Sequence, residues 1–376
     1  MKPEKERHIL FVGGGTGGHI APLLAVLGAV HDTAERKEYP VKLSYVGLPT
    51  DLESPLVKGS KLPFAKHMVH SGKLHRHMTL NHFSQVKGLM AGLREARILL
   101  KKLKPDVVFA KGGGSTIPVA LAAARMRIPI VCHESDANPG LAIRFIAKFA
   151  KVVCTAYPAK VYTQLPRRRI VHTGQPVRDI FYIQAKTLPN IEGEVLDPKK
   201  PLISVVCGSQ GSRRVNQLVS EVWEKLLDDF QVVHVTGPHE HALYTEKRKQ
   251  LSKFQRSRLH VVSFLTDELP ALYQKSAVVI SRSGGSIAEL AASRACSILI
   301  PLSTAAQNHQ WANARVVVGA GAAVALDETT ATPQELEKLI RELMSDEREQ
   351  TGLRAAIGHF DYPDAALRMA DLLLDA

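Results

Sequence analysis

The stretch Ile9–Pro22, ILFVGGGTGGHIAP, decides the fold. Five of the six residues from Gly13 to Gly18 are glycine, set between two apolar runs of different period. HILFV before them is apolar and β-branched enough to be a buried strand. IAPLLAVLGAV after them has helical spacing, with Leu23, Leu24, Leu27 and Val30 on one side. The unit reads strand, glycine turn, helix. Glycine allows positive φ and close approach of backbone to a ligand. A helix N-terminus adds N–H groups and the positive end of its dipole. A tight turn needs fewer glycines, so an anion, most often a phosphate, is the expected tenant. His19 follows at once, with an ordinary pKa of roughly 6.5 that suits proton transfer near neutrality.

Working outward, strand-like and helix-like runs alternate along the chain. KLSYVG, DVVFA, PIVCH, KVVCTA and RIVHTG follow in the first half. LISVVCG, QVVHVTG, LHVVSFL, AVVISRS, SILIPL and AAVAL follow in the second, with helical segments such as LREARILLKKLK and SIAELAAS between strands. This alternation predicts parallel sheets covered by helices. ISVVCGSQGSRRVN repeats the strand–glycine loop–helix plan of the opening stretch. Phe181–Pro201 is polar, proline-dotted and without period, and reads as a linker. The expected architecture is α/β: two Rossmann-like, doubly wound parallel-sheet domains facing a central cleft. The first covers 1–180, a linker 181–200, the second 201–356, and a final helix within 357–376 packs back toward the first domain. Ligands of such sheets bind at the carboxyl ends of strands, so the cleft would collect both glycine loops.

A chain of 376 residues, 45% hydrophobic, can fill two cores. No secretory signal is read, and no run approaches 18 apolar residues. Cys132, Cys154, Cys207 and Cys296 lie far apart in apolar runs and read as buried, inert thiols of a reducing compartment. The formal charge of +13 favours phosphorylated ligands, nucleic acid or an anionic membrane surface. Nucleic acid is not expected, because basic residues are not interleaved with aromatics.

Gly13, Gly15 and Gly18 match the dinucleotide fingerprint G-x-G-x-x-G. The strand KLSYVG, however, ends at Gly47 and Leu48 without the acid that would hold a ribose; Asp51 and Glu53 come later, in a loop. The P-loop pattern is absent. In the second half, Ser283, Gly284 and Gly285 precede a helix with Glu289 one turn inside it. Gln307, Asn308, His309, Gln310 and Asn313 follow in IPLSTAAQNHQWANA. An anion site beside a carboxylate and several amides suits a nucleotide sugar. Arg282 could instead be structural, paired with a local carboxylate. No Asp-x-Asp motif is present to hold a divalent metal on a diphosphate, so neither metal nor cofactor is expected.

The motifs GGGTGGH, SGKLHR, KGGGSTIP, HESDANPGL, GQPVR, CGSQGSRRVN, SRSGGSIAEL and HQWANA occur in order over nearly the whole chain. With them the chain resembles the lipid-I N-acetylglucosaminyltransferases of bacterial peptidoglycan synthesis, the MurG family of GT-B fold. The resemblance implies inverting transfer of N-acetylglucosamine from UDP-N-acetylglucosamine to the C4 hydroxyl of lipid I, giving lipid II. It implies work at the cytoplasmic face of the membrane, beside other cell-wall synthesis proteins. His19 is the first candidate for the base, or else a hydrogen-bond donor to a ligand. His133 and Glu134 are the other acid–base candidates, and Asp136 adds a second possible base. Thr16, Gly17 and Gly18 complete the first loop. On the donor side the resemblance implies Ser209, Gln210 and Gly211 at the phosphates, with Ser283, Gly284 and Gly285. Arg178 adds charge or contacts the nucleotide, Glu289 holds the ribose, and Gln310 and Asn313 lie near the sugar, with Phe264 and His309 in the same set. The chain departs from the family pattern at Ser135 and Asp136, where glutamine and asparagine are usual, and at Gln175, where asparagine is usual. SRSGGSIAE is also one residue short. Rival readings are a glycolipid synthase or UDP-N-acetylglucosamine 2-epimerase of the same fold, and a non-catalytic nucleotide-sugar binder.

The acceptor hangs on a membrane-bound chain. Between Ser71 and Lys104, Lys73, Arg76, Lys87, Arg94, Arg97, Lys101, Lys102 and Lys104 face a single acid, Glu95, with Leu80, Phe83, Leu89, Met90 and Leu93 interspersed. This suits peripheral binding to an anionic leaflet around Leu74–Met90, with REARILLKKLK packing as an ordinary helix. His67, His70, His75, His77 and His82 read as a solvated loop rather than a metal site.

Overall fold

A computed structural model describes residues 6–15, 17–70 and 82–376. Thr16, His75, His77 and the Leu74–Asn81 part of the expected membrane-facing patch lie outside the described residues. The chain divides into two compact units. One is Met1–Arg178 with Tyr362–Ala376, the other Asp179–Asp361.

The first unit carries strands β1 (Arg7–Val12), β2 (Val41–Gly47), β3 (Ala65–Met68), β4 (Val107–Ala110), β5 (Ile130–Glu134), β6 (Val152–Thr155) and β7 (Ile170–His172). They form one parallel sheet in the order β3-β2-β1-β4-β5-β6-β7. β1, β2 and β4 are almost wholly buried, as apolar strands covered on both faces must be. The helix Gly17–Arg36 turns Leu23, Leu24, Leu27 and Val30 into the core with Ile9, Phe11 and Phe109. Met369, Ala370 and Leu373 of the terminal helix Ala365–Leu374 join the same core. β3 escapes a reading by hydrophobic pattern because AKHM is an edge strand with three of its four residues exposed.

A hairpin of β8 (Asn190–Ile191) and β9 (Glu194–Val195) precedes the second sheet. That sheet has β10 (Leu202–Val206), β11 (Gln231–Val235), β12 (Leu259–Val262), β13 (Val278–Ser281), β14 (Ser297–Leu299) and β15 (Val324–Ala325), in the order β12-β11-β10-β13-β14-β15, again parallel. Both sheets therefore reverse winding direction between their first and fourth strands, the position where doubly wound folds bind ligands. The segment read as a linker is built into this second unit. Phe181 is fully buried, Gln274 bonds the backbone of Phe181, Ile183 and Ala185, and Glu194 pairs with His260 and Arg248. Its few apolar side chains are spaced irregularly, which hid their burial. All four cysteines are buried and unbridged.

Candidate functional site

In the first unit, Val12 and Ala110 are register partners, so the loops after β1 and β4 leave the sheet side by side. Their glycines let the two backbones touch. Gly14 N–H donates to Gly112 O at 3.2 Å. Gly113 holds φ at +97°, and a Cβ there would fall 2.2 Å from Gly14 O. The expectation of an anion in the first loop is only partly met by its geometry. Asp51, expected in a loop, sits in the one-turn helix Pro49–Leu52 and is buried. Its carboxylate accepts Gly15 N–H at 2.6 Å and Leu48 N–H at 2.8 Å. One loop amide is therefore already given to an internal anion, and a second anion there would be repelled.

The titratable groups gather at the ends of β4 and β5. Lys111, the residue after β4, is 2% exposed and donates to Ser135 Oγ. Glu134, at the end of β5, is buried too. Its two oxygens accept Asp136 N–H and Gly140 N–H, each at 2.9 Å, which closes the 134–140 turn. Burial pushes the Lys111 ammonium down to about 8, against the opposing pull of Glu134 and Asp136. Burial, followed by the charge of Asp136, pushes Glu134 up to about 7. His133 Nε2 lies 3.1 Å from Gly174 O, and burial holds the ring well below the usual imidazole range. His19 stands in the first turn of its helix, half-buried over Gly112, where a Cβ would come within 3.5 Å of the ring. The structure thus brings His19, Glu134 and Asp136 into one neighbourhood and adds Lys111, which sequence reasoning passed over. The signal available was its place: a lone cation between a buried strand and three glycines.

In the second unit, Val206 pairs with Ser281, so the loops after β10 and β13 are likewise adjacent. Gly211 holds φ at +72°, and a Cβ there would fall 1.9 Å from Thr236 O. Ser209 and Gln210 form the turn before Ser212, which caps the helix Arg213–Ser220. Arg282 follows β13 and is structural, the alternative weighed above. It reaches Glu328 at 2.7 Å, Ser212 Oγ at 2.6 Å and Ile300 O at 2.8 Å, with both ends of the ion pair buried. Glu328 escaped sequence reasoning because 46 positions separate it from Arg282. Burial raises the Glu328 carboxyl, but bonds from Ser303 and Arg282 outweigh this and hold it below its usual value. Ser283 Oγ donates to Gln310 O, Asn313 Nδ2 donates to Ser283 O, and Gln310 Oε1 accepts Leu302 N–H. Ser283, Gln310 and Asn313 are therefore brought together, with Gly284 against the Gln310 amide nitrogen. Glu289 is half-buried on the helix Ser286–Ala292, and His309 opens the helix His309–Gly319. Phe264 is half-buried just beyond β12, and Arg178 closes the first unit.

In the basic segment, Glu95 accepts the backbone N–H of His70 at 2.9 Å and pairs with its ring, so the segment's single acid accompanies one of these histidines.

Two doubly wound units with adjacent glycine loops at each winding reversal define a two-domain nucleotide-sugar enzyme of GT-B type. The family described as Glycosyltransferase family 28 N-terminal domain matches residues 9–155, and its C-terminal domain counterpart matches 202–366. A UDP-N-acetylglucosamine--N-acetylmuramyl-(pentapeptide) pyrophosphoryl-undecaprenol N-acetylglucosamine transferase of Lachnospira eligens is 33% identical over 91% of this chain and 92% of its own. The chain belongs to this transferase family. Among solved structures, Acinetobacter baumannii MurG superposes with a TM-score of 0.70 at 24% identity, over 98% of this chain and 100% of that one. A Neisseria meningitidis UDP-GlcNAc 2-epimerase superposes at 0.66 and 12% identity, over 99% and 100%. These two likenesses show the fold.

Proposed function

We infer that the protein is an inverting hexosyltransferase. It moves N-acetylglucosamine from UDP-N-acetylglucosamine to the C4 hydroxyl of lipid I, forming the β-1,4 link of lipid II. Membership of the transferase family along nearly the whole chain carries this reading. The geometry supports a division of labour. The second unit, with a buried guanidinium behind its glycine loops, suits the diphosphate donor. The first, with carboxylates at its loop and turn, suits a hydroxyl that must lose a proton.

In the mechanism we propose, His19 accepts the C4 proton as that oxygen attacks the anomeric carbon, and the bond to UDP breaks on the opposite face. Asp136, half-exposed on the turn braced by Glu134, orients the hydroxyl in place of the family's usual amide. Glu134 braces and does not receive the proton, because both its oxygens hold backbone N–H groups. Charge growing on the leaving diphosphate meets backbone N–H groups of Ser209, Gln210 and Ser283–Gly285, which act as fixed dipoles, while Gly211 closes the turn by donating to Gly208 O. Thr16, Gly17 and Gly18 complete the acceptor loop. Glu289 takes the ribose, while Arg178, Phe264, His309, Gln310 and Asn313 frame the nucleotide sugar.

No helix among the described residues is long and apolar enough to cross a membrane. We propose peripheral attachment to an anionic leaflet. Supporting it, Met90, Leu141 and Phe145 are exposed, and Arg94, Lys148 and Arg144 stand near them in sequence.

UDP release tests the reading, measured with and without a lipid-I analogue in wild type and His19→Ala. Release that requires the analogue and falls roughly 10²–10⁴-fold in the variant is expected, the usual contribution of a general base. UDP-N-acetylglucosamine held without turnover would leave only a binder.

A further inference from the structure

The residue after the fourth strand of the first unit is a lysine with nowhere to put its charge except among acids. Lys111 is 2% exposed. Its Cβ sits under the glycine loop, 2.9 Å from where a Cβ on Gly13 would be. Its ammonium meets Ser135 Oγ on the turn after β5. The groups around it come from three other elements. Glu134, Asp136 and His133 come from β5 and its turn, and His19 of the first helix faces His133. After β6, Tyr157 faces Asp136 and Tyr162 faces both carboxylates. An apolar side chain would fill this space at less desolvation cost. A buried ammonium is tolerable only where carboxylates answer it.

We propose that Lys111 is a positioning residue for proton transfer at the acceptor turn. Its ammonium fixes Ser135 and supplies a buried positive charge against which Glu134, the brace of the turn, sets its protonation. The proposal rests on the transferase reading above. The acceptor's proton still leaves to His19, and Lys111 touches no substrate. Its charge decides the pH at which the Glu134 brace holds the turn that carries Asp136. Removing that charge leaves Glu134 and His133 without a nearby cation, so each takes up a proton at higher pH. Burial brings Lys111 and Glu134 toward neutrality from opposite sides, which makes the cluster sensitive there.

The test is the pH profile of kcat/KM for a lipid-I analogue in wild type, Lys111→Met and Ser135→Ala. In Lys111→Met the acid limb moves up by about one pH unit, the lower end of the shift an adjacent charge produces. In Ser135→Ala the ammonium remains, so the limb stays and KM for the analogue rises about tenfold, the equivalent of one charged hydrogen bond. A uniform loss at every pH in Lys111→Met, with the limb unmoved, would overturn the proposal. Should that variant fold poorly, wild type labelled with [ε-13C]lysine decides the matter. One lysine titrating well below the rest, and displaced in Ser135→Ala, supports it; all lysines titrating together overturns it. The lysine titration does not depend on turnover. A wild type that releases no UDP would therefore defeat the transferase reading and leave this result standing.

Discussion

Lys111 and Arg282 hold the same place in the two sheets. Each is the first residue after the fourth strand of its sheet, beside the register pair where winding reverses, and each precedes a glycine-rich turn into a helix. Both are buried. The choice of cation then separates the units. Guanidinium cannot lose its proton, and its planar fork binds Glu328, Ser212 and Ile300 at once. Ammonium is a point charge whose proton affinity responds to burial, and Lys111 sits among carboxylates instead of in one fixed pair. One switch point is a rigid brace, the other a cluster in which burial pushes both a cation and a carboxylate toward their uncharged forms. In the division of labour proposed above, the rigid brace suits the unit assigned the diphosphate, and the labile cluster suits the unit assigned the hydroxyl.

Breaking the brace has the largest expected effect. Arg282→Ala strands Glu328 in the interior and frees the Ser212 cap, at a cost of about 3–5 kcal/mol. It is read as a fall in the urea midpoint together with lost UDP-N-acetylglucosamine affinity. Arg282→Lys keeps the charge but not the fork, so if it melts like wild type, geometry is not what distinguishes the two sites. The ion pair also fixes a pH dependence. The Glu328 carboxyl lies below its unfolded value, so its contribution is whole above the ordinary carboxylate range. It is lost as pH falls through the folded value. The stability gap between wild type and Glu328→Gln should therefore narrow on acidification, and a gap that widens would contradict the pairing.

The close approach of loops is common to both units and should fail equally in both. Gly113→Ala and Gly211→Ala each force a left-handed φ on alanine and push a Cβ into a carbonyl oxygen, for about 3 kcal/mol apiece. A harmless Gly113→Ala would show that the first unit's loops do not rest on each other.

Much of this was legible in the sequence because buried parallel strands are nearly continuous apolar runs. ILFV, DVVFA and LISVV announce themselves, and the glycines after them mark the turns. What stayed hidden depends on distance along the chain or on weak patterning. β3 is polar and at an edge. Asp51 closes a loop 36 positions earlier, and Glu328 answers an arginine in another loop. Phe181 is buried without any periodicity to announce it. At the candidate site, His19, Glu134 and Asp136 were found by motif. Lys111 was quoted within KGGGSTIP yet not singled out, since nothing local shows that a lysine beside three glycines is buried.

The glycine loops after β1 and β10 share a backbone plan and differ in the charge beside them, a carboxylate at Asp51 and a guanidinium at Arg282. Asp51→Asn should cost about 2 kcal/mol, since hydrogen bonds to a charged group are lost. More tellingly, it should make the first loop hospitable to anions. Inorganic phosphate would then raise the melting temperature of the variant more than that of wild type. Equal phosphate stabilisation of both would mean that Asp51 does not guard the loop, and the contrast between the units would collapse. Gly15→Ala gives the smallest effect and isolates the backbone's share. Gly15 lies at φ +94° with nothing within 4 Å of a built Cβ, so alanine pays only conformational strain, about 1 kcal/mol. Because that variant keeps Asp51, its response to phosphate should match wild type. Any gain of anion binding in Asp51→Asn but not in Gly15→Ala then belongs to the missing carboxylate and not to a loosened loop.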